Sequence, residues 1–237
     1  MKTNLLFYLF AVITIVAIAC GGNEDKKVAP PPDETAEAED TTSEELLDTV
    51  LSAENIDTFS TMAFTSYAKK QSSSFDWSRF RMEHNWVDDS LVTTNFKPDN
   101  KFYEAYGRFL KYSPDSTMFV DLDSYNVDIR KDKNGKWQGT EQGPDTEVSL
   151  VNLTTGKKTR LLFLGPGNSI EDALWLDKES VAIMGIEDYD SLGKVAAVWK
   201  YHIPTSTFSL YELKDSVAAR RLMGYWRRER LKGVTMN

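Results

Sequence analysis

The order of apolar and polar residues divides the chain into an apolar start, a polar stretch and a long patterned remainder. Residues 5–19 are almost all apolar, but this run is shorter than the about 20 residues of a membrane-spanning helix. Residues 43–53 begin with a capping serine followed by two glutamates, which is typical of a helix start. Residues 56–70 carry their apolar residues at helical spacing. We therefore expect two helices at the beginning of the remainder.

Residues 80–86 alternate between apolar and polar positions, which is the pattern of a half-buried strand. A turn at residues 88–90 follows, so we expect residues 91–96 to return as the second strand of a hairpin. His84 lies on the apolar side of the first strand, either as a ligand or base or, more simply, as a hydrogen-bonded core histidine. A short helix then starts at residues 97–100, with a buried face formed by Phe102, Tyr106, Phe109 and Leu110.

Residues 112–213 contain a weak internal repeat. Each unit has an aromatic residue, an Asp-bearing turn and an apolar strand, and then a second strand that ends in a turn of small residues. The first unit starts at Tyr112 with Ser-Pro-Asp-Ser and later reaches Leu-Thr-Thr-Gly at 153–156. The second starts at Trp175 and later reaches Pro-Thr-Ser at 204–206. These motifs resemble those of WD40-like and TolB-type β-propeller blades, and the resemblance implies short antiparallel sheets.

The fold class that follows is mainly β within an α+β arrangement. Propellers use about four to eight blades, whereas residues 112–213 provide two, or three if residues 75–96 are counted. We therefore expect antiparallel, blade-like sheets packed together, with N-terminal helices and a C-terminal helix. An incomplete propeller is the alternative, with its open edges covered by the helices because exposed edges invite aggregation.

A polar hairpin interrupts the first unit. Residues 127–131 and 136–137 flank the sequence Asp-Lys-Asn-Gly, in which Asn-Gly is a strong signal for a type I′ turn. Trp137 lies near the tip of this hairpin. We regard it as a candidate binding aromatic, with core or cross-strand packing as its alternative role.

The last patterned segment, residues 215–232, predicts a C-terminal helix. Trp226 lies on its apolar face, so we expect this residue to be buried against the β-rich core. From Lys214 onward the chain has seven bases and two acids. Such a basic face suits anionic lipid or lipopolysaccharide, and a solvated face on a docked helix is the alternative. The candidate binding residues here are Arg220, Arg227 and Arg228.

The distribution of charge along the chain separates an acidic segment from the folded domain. Residues 21–48 hold ten acids and two bases, which accounts for the formal net charge of −8. We expect residues 20–42 to form a disordered acidic tether, since such a composition cannot bury a core. Residues 43–237 are then a single β-rich domain. From residue 49 onward the chain contains 25 bases and 26 acids, so no excess of positive charge indicates nucleic acid as a partner.

The single cysteine, Cys20, follows the apolar run directly. The sequence Ala-Ile-Ala-Cys resembles the lipobox of bacterial lipoproteins, with alanine at the usual leucine position. The resemblance implies that residues 1–19 are a signal peptide and that Cys20 carries the lipid. The acids just after Cys20 resemble the export signal of surface lipoproteins in the Bacteroidota. We therefore expect a lipid-anchored protein of the cell envelope, attached to the outer membrane on its periplasmic or surface-exposed side.

Motifs for catalysis or for a bound metal are weak in this sequence. Its two histidines, His84 and His202, lie too far apart to form a zinc motif by spacing. Asp121 and Asp123 stand two apart on a predicted strand and suit acid–base work, or equally a solvent-facing strand side. We predict no catalytic residue, metal or cofactor. The leading hypothesis is an envelope protein that binds a protein or glycan, and the alternative is an envelope hydrolase with a carboxylate-based site.

Overall fold

The computed structural model describes residues 49–190 and 193–237, which belong to a compact unit spanning Glu45–Asn237. The predicted signal peptide, Cys20 and the acidic tether lie outside the described residues. The described part is mainly β, with thirteen strands in three sheets and none closed into a barrel. The expected fold class is therefore confirmed.

Sheet I contains the first repeat unit. Its five strands lie in the order β2, β8, β7, β4, β3. They are β2 (Thr93–Asn95), β3 (Lys111–Tyr112), β4 (Met118–Asp121), β7 (Thr146–Asn152) and β8 (Lys157–Leu164). Every neighbouring pair is antiparallel.

Sheet II contains the second repeat unit, and its order is β1, β12, β11, β10, β9. Its strands are β1 (Arg81–Val87), β9 (Ser169–Trp175), β10 (Ser180–Tyr189), β11 (Gly193–His202) and β12 (Thr207–Leu213). Both sheets thus consist of a four-stranded meander with one strand from the preceding chain added beside the last strand. This shared topology is the structural counterpart of the repeat seen in the sequence.

The two sheets pack face to face through a common core. Val120 and Leu150 of sheet I meet Ile183 and Trp199 of sheet II in one buried cluster. The first strands of the two units also touch, because the Trp175 indole N–H donates to the Lys111 carbonyl at 2.8 Å. Burial of these apolar side chains stabilises the folded state by about 25 cal/mol for each Å² of apolar surface removed from water.

The other face of sheet II is covered by three helices, α1 (Ala53–Ser60), α2 (Ala63–Gln71) and α4 (Ser216–Leu222). The predicted single helix at 56–70 is therefore wrong, because the chain breaks at Thr61–Met62. The break lets Phe59 and Phe64 both pack against Trp77, with ring centroids 5.0 and 6.1 Å apart. Residues 49–52 of the predicted helix at 43–53 are also not helical; instead Ser52 caps α1 by accepting from the Asn55 amide.

The hairpin expected from residues 80–96 is wrong in its pairing. β1 pairs with β12, whereas β2 pairs with β8 in sheet I. β12 offers β1 a longer apolar partner, and Trp86 stacks on Phe208 at 5.1 Å. A bulge between Met82 and His84 puts Met82 against the helices and Trp86 between the sheets. His84 is exposed on this edge strand, so the expected core histidine is also wrong.

Sheet III contains the inserted hairpin, β5 (Val127–Lys131) and β6 (Trp137–Glu141), and the last strand, β13 (Thr235–Met236). The hairpin is confirmed, but its turn is not type I′. Gly135 has a positive φ of 77° and Asn134 does not, whereas a type I′ turn needs both. The Asp132 carboxylate holds the turn by accepting from the Asn134 and Lys136 amides at 2.8 and 2.9 Å. The preceding helix, α3 (Asn100–Tyr106), lies between this sheet and sheet I.

The predicted helix at 215–232 is interrupted after Leu222. Gly224 adopts a positive φ of 83°, and a five-residue π-helix, Trp226–Arg230, follows. The cause is the buried Glu171 of β9. Its carboxylate accepts from the Gly224 and Trp226 amides at 3.1 and 3.0 Å, so these N–H groups are not available to a continuous helix.

The interruption changes which aromatic residue is buried. Tyr225 is buried in the core beneath sheet II. Trp226 is only half-buried and packs against the cluster of Phe109 and Leu231. The expected full burial of Trp226 is therefore wrong, and its indole is left at the wall of a cleft.

Candidate functional site

A cleft of about 290 Å³ lies where the start of β9, the end of the inserted hairpin and the π-helix meet. This volume lies just below the range of about 300–1,000 Å³ that is typical of small-molecule sites. Its floor contains an aspartate and an arginine, and its wall and mouth contain a tryptophan and a second ion pair. The polar and aromatic lining residues include Asp123, Arg230, Ser169, Trp226, Arg227 and Glu141.

Arg230 is fixed at the floor by groups from two segments. Its Nε donates to the Glu171 carbonyl at 2.9 Å, and its Nη1 donates to Asp123 Oδ2 at 2.6 Å. A longer contact of 3.5 Å reaches the Ile170 carbonyl. The guanidinium thereby covers the open edge of β9, whose carbonyls would otherwise point at solvent.

Asp123 is almost completely buried, with 2% of its surface exposed. Burial raises the pKa of its carboxyl, and the charge of Arg230 acts in the opposite direction. Its Oδ1 atom has no hydrogen-bond partner among the residues that the structure describes. A buried carboxylate oxygen without a partner is costly, so a shift of the floor that let a ligand's donor reach this buried atom would be favourable.

Asp121 holds the backbone around this residue. Its Oδ1 accepts from the Asp123 and Ser124 amides, both at 3.0 Å. The Ser124 hydroxyl bonds to the other oxygen. Asp121 and Asp123 are both buried, so the solvent-facing alternative considered for this pair is wrong. Asp121 positions the turn, while Asp123 faces the cleft.

Glu171 positions the chain segment that forms the wall of the cleft. It is completely buried, and burial raises the pKa of its carboxyl. The Ser169 hydroxyl donates to Glu171 Oε1 at 2.7 Å, in addition to the two backbone bonds from Gly224 and Trp226. This acid therefore sets the path of the chain from α4 into the π-helix and with it the position of the Trp226 ring.

The mouth of the cleft is bridged by an exposed ion pair. Arg227 of the π-helix bonds to Glu141 at the end of β6. The Arg227 guanidinium also lies 5.0 Å from the centre of the Trp226 ring. Exposed ion pairs of this kind contribute little to stability, so a ligand can displace this one at little cost.

The polar groups of the floor differ in whether they are free to bind a ligand. Asn126 and Asn168 line the cleft, but backbone groups already use their amides. Asp123 Oδ1 can still accept, and Arg230 has N–H groups beyond those engaged. A fixed acceptor beside a fixed donor suits a hydroxyl group, which both donates and accepts.

The residues proposed from the sequence lie at three different places. Trp137 is half-buried against Phe109 and Leu231, with the Lys131 ammonium 4.8 Å from its ring centre. Arg227 lies at the cleft, whereas Arg220 and Arg228 are exposed elsewhere. The structure therefore does not bring the four candidate binding residues of the described chain together. Cys20 lies outside the described residues.

Two residues of the floor were not singled out as a pair by sequence reasoning. Arg230 is one of several bases in the C-terminal segment, and Asp123 was considered only with Asp121. A signal was nevertheless present in β9, where two acids, Glu171 and Asp172, stand between the apolar residues Ile170 and Ala173. Buried charges of this kind are rare unless they are paired. The Lys111 ammonium pairs with Asp172 at 2.6 Å.

A second polar cluster lies away from the cleft. The Tyr189 hydroxyl is 2.9 Å from Glu187 Oε2 and 2.7 Å from Glu212 Oε1. One hydroxyl has one proton to donate, so the cluster is fully bonded only when one carboxyl is itself protonated. Burial raises the pKa of Glu187, and the nearby charge of Glu212 raises it further.

The comparisons with known proteins give no relative from which a role could be transferred. No protein-family model, curated protein or solved structure matches this chain. Within residues 49–190 and 193–237, no group of three or more possible metal-ligating side chains is found, and no helix is long and apolar enough to cross a membrane.

Proposed function

We propose that this protein is a lipid-anchored envelope protein whose β-rich domain binds a glycan in the cleft above Asp123 and Arg230. The observation that carries the proposal is the unpartnered Oδ1 of Asp123, buried beside the Arg230 guanidinium just beneath the floor of an open cleft. Arg230 is held by the Glu171 carbonyl and by Asp123, and the backbone of Asp123 is held by the Asp121 carboxylate, so the floor is preorganised for a ligand.

Sugars fit this floor because adjacent hydroxyls on a ring present donors and acceptors side by side. One hydroxyl would donate to Asp123 Oδ1 and a neighbouring one would accept from Arg230. Trp226 supplies a flat apolar surface at the wall, against which the C–H face of a sugar ring packs. A fully apolar ligand would leave the Asp123 oxygen without a partner, so the floor selects against it.

The envelope location rests on the signal at Cys20. A single acyl chain gives only marginal attachment, but the lipoprotein modification implied by the lipobox resemblance places several chains on one cysteine. A glycan-binding domain on such an anchor would meet peptidoglycan on the periplasmic side or surface polysaccharide on the outside.

The alternative function, a hydrolase with a carboxylate-based site, is favoured by one observation. Burial raises the pKa of Asp123 at the cleft floor, which is a property of catalytic acids. Two further carboxylates line the cleft, Glu141, which is paired with Arg227, and Asp145. Release of reducing ends from a bound oligosaccharide would support this alternative, whereas saturable binding without product supports a binding protein.

Calorimetric titration of the purified protein with peptidoglycan fragments, lipopolysaccharide core oligosaccharide and neutral hexoses tests the proposal. We expect one of these probes to bind and Trp226→Ala to weaken that binding by about tenfold or more. Trp137→Ala is the matched control, because both tryptophans are half-buried against the same cluster and Trp137 does not line the cleft. Equal weakening in both variants, or no binding by any probe, would contradict the proposal.

A further inference from the structure

The five arginines of the C-terminal segment fall into two groups. Arg227 and Arg230 turn to the cleft, where each is paired with a carboxylate. The other group is exposed on the outside of the helical layer. This second group is Arg220, Arg221 and Arg228, and together with the exposed Lys70 of α2 we call it the basic face.

The basic face combines three elements that are distant in sequence. Arg221 of α4 reaches the Gln71 carbonyl at the end of α2, with a contact of 3.5 Å. Arg228 of the π-helix bonds to the Tyr67 hydroxyl of α2 at 3.2 Å. Lys70 lies on the same last turn of α2. Tertiary structure therefore concentrates positive charge that the sequence spreads over three segments.

These charges are not neutralised locally. In the part of the chain that the structure describes, none of the four bases of the basic face forms an ion pair with a carboxylate. Arg227 and Arg230 of the same segment, which lie at the cleft, are each paired with a carboxylate. Whether an arginine of this segment is paired therefore depends on where it lies in the fold. An uncompensated group of bases attracts an anionic surface.

An exposed apolar residue lies within this charge. Val217 of α4 is 60% exposed, and it is three and four residues before Arg220 and Arg221, so the three side chains share one side of the helix. An apolar side chain framed by bases is the pattern of helices that lie at a membrane interface. A polysaccharide or a soluble anion gives Val217 no apolar partner.

We propose that the basic face docks on an anionic lipid membrane, with Val217 entering the headgroup region and the bases contacting lipid phosphates. Each base close to such a surface strengthens attraction by about 1 kcal/mol. Docking would hold α2 and α4 toward the membrane. This inference depends neither on the glycan proposal nor on the lipid at Cys20.

Flotation with vesicles tests docking. The compact unit 45–237 contains all four hydrophobic clusters, so it can be used without the apolar run at 5–19, which would itself enter vesicles. We expect it to float with vesicles of phosphatidylglycerol and phosphatidylcholine in equal parts, and not with pure phosphatidylcholine. Added salt should release it, because exposed charges are screened within about 10 Å at 0.1 M ionic strength.

Three variants decide the outcome. Removing two bases in Arg220→Gln/Arg221→Gln should weaken partitioning by about 25-fold, at about fivefold for each base. Lys133→Gln/Lys136→Gln makes the same charge change on the exposed hairpin turn and should leave partitioning unchanged. Val217→Ser should weaken it without changing its salt dependence. Equal flotation of the arginine variant and wild type, equal loss in both charge variants, or flotation with neutral vesicles would overturn the inference.

Discussion

Arg230 and Asp123 form an ion pair of 2.6 Å although 107 residues separate them in the chain. Their side chains are only 5% and 3% exposed. Taking two charges out of water is costly, and such a pair is retained only when further bonds satisfy both partners. Arg230 has those bonds, whereas Asp123 keeps one oxygen without a partner in the described chain. The pair therefore combines a structural role with an unsatisfied acceptor at the cleft.

The first prediction concerns the loss of one partner. Asp123→Ala leaves a buried guanidinium without its carboxylate and should lower the free energy of unfolding by about 3–5 kcal/mol. Asp123→Leu/Arg230→Met replaces both charges by apolar groups and should recover most of that loss. Chemical denaturation of the three proteins gives the values. If the double variant is no more stable than Asp123→Ala, the cost does not come from an unpaired charge.

The two large sheets could be predicted from the sequence because the patterns that indicate their turns and strands are local. Turns with small residues at 153–156 and 204–206 mark equivalent β7–β8 and β11–β12 connections, and the apolar strands between them follow directly. The pairing of β1 with β12 depends on residues more than a hundred positions away, and no local pattern carries that choice. The bulge at Met82–His84 then reverses which side chains face the core.

The cleft could not be predicted from the sequence, because it too depends on contacts between residues that are distant in the chain. The break in the predicted C-terminal helix is caused by Glu171, which lies over fifty residues earlier and accepts the Gly224 and Trp226 amides. Only this break turns Trp226 toward the cleft and Arg230 toward Asp123. Helical periodicity describes what a segment favours alone, and a buried carboxylate overrides it.

The second prediction is a pH dependence from the cluster around Tyr189. Burial and Glu212 raise the pKa of Glu187 above its ordinary value of 4.5, so the folded state binds this proton more tightly than the unfolded state. The stabilising contribution is present below the unfolded pKa and is lost as the pH rises through the folded pKa. Glu187→Gln keeps a neutral partner for Tyr189 at every pH. Its melting temperature relative to wild type should therefore increase from mildly acidic to neutral pH.

The control for this dependence is Glu104→Gln, a change at an exposed carboxylate paired with Lys131. Its melting temperature should stay close to that of wild type at both pH values, because exposed pairs contribute little. A difference between Glu187→Gln and wild type that is the same in acid and at neutral pH would show that Glu187 does not titrate in this range.

The third prediction concerns the anchor. Cells given labelled palmitate should label the wild-type protein and not Cys20→Ser, because Cys20 is the only cysteine in the chain. The wild-type protein should also fractionate with the outer membrane. Equal labelling of both proteins would show that the lipobox resemblance is misleading, and it would leave the cleft and the basic face to be judged on their own tests.

The fourth prediction links packing in sheet II to the cleft. A Cβ atom added at Gly185 of β10 would clash with the Ser169 carbonyl oxygen and lie 3.0 Å from the Trp199 ring. The first contact is with backbone, so β9 must move to accept it. Overpacking of this kind costs about 1–3 kcal/mol. Gly185→Ala should therefore destabilise the protein and also displace Ser169, which lines the cleft.

Gly143→Ala is the matched control. Gly143 also lines the cleft, but an added Cβ would meet no atom within 4 Å, so stability should change by less than about 0.5 kcal/mol. Thermal melts and titration with the oligosaccharide that binds wild type measure both effects. We expect Gly185→Ala to lose stability and affinity together, because the start of β9 carries Ser169 and, two residues later, Glu171, which positions Trp226. Full affinity in a clearly destabilised Gly185→Ala protein would mean that the bound ligand does not depend on the position of β9, and the cleft would then be the wrong site.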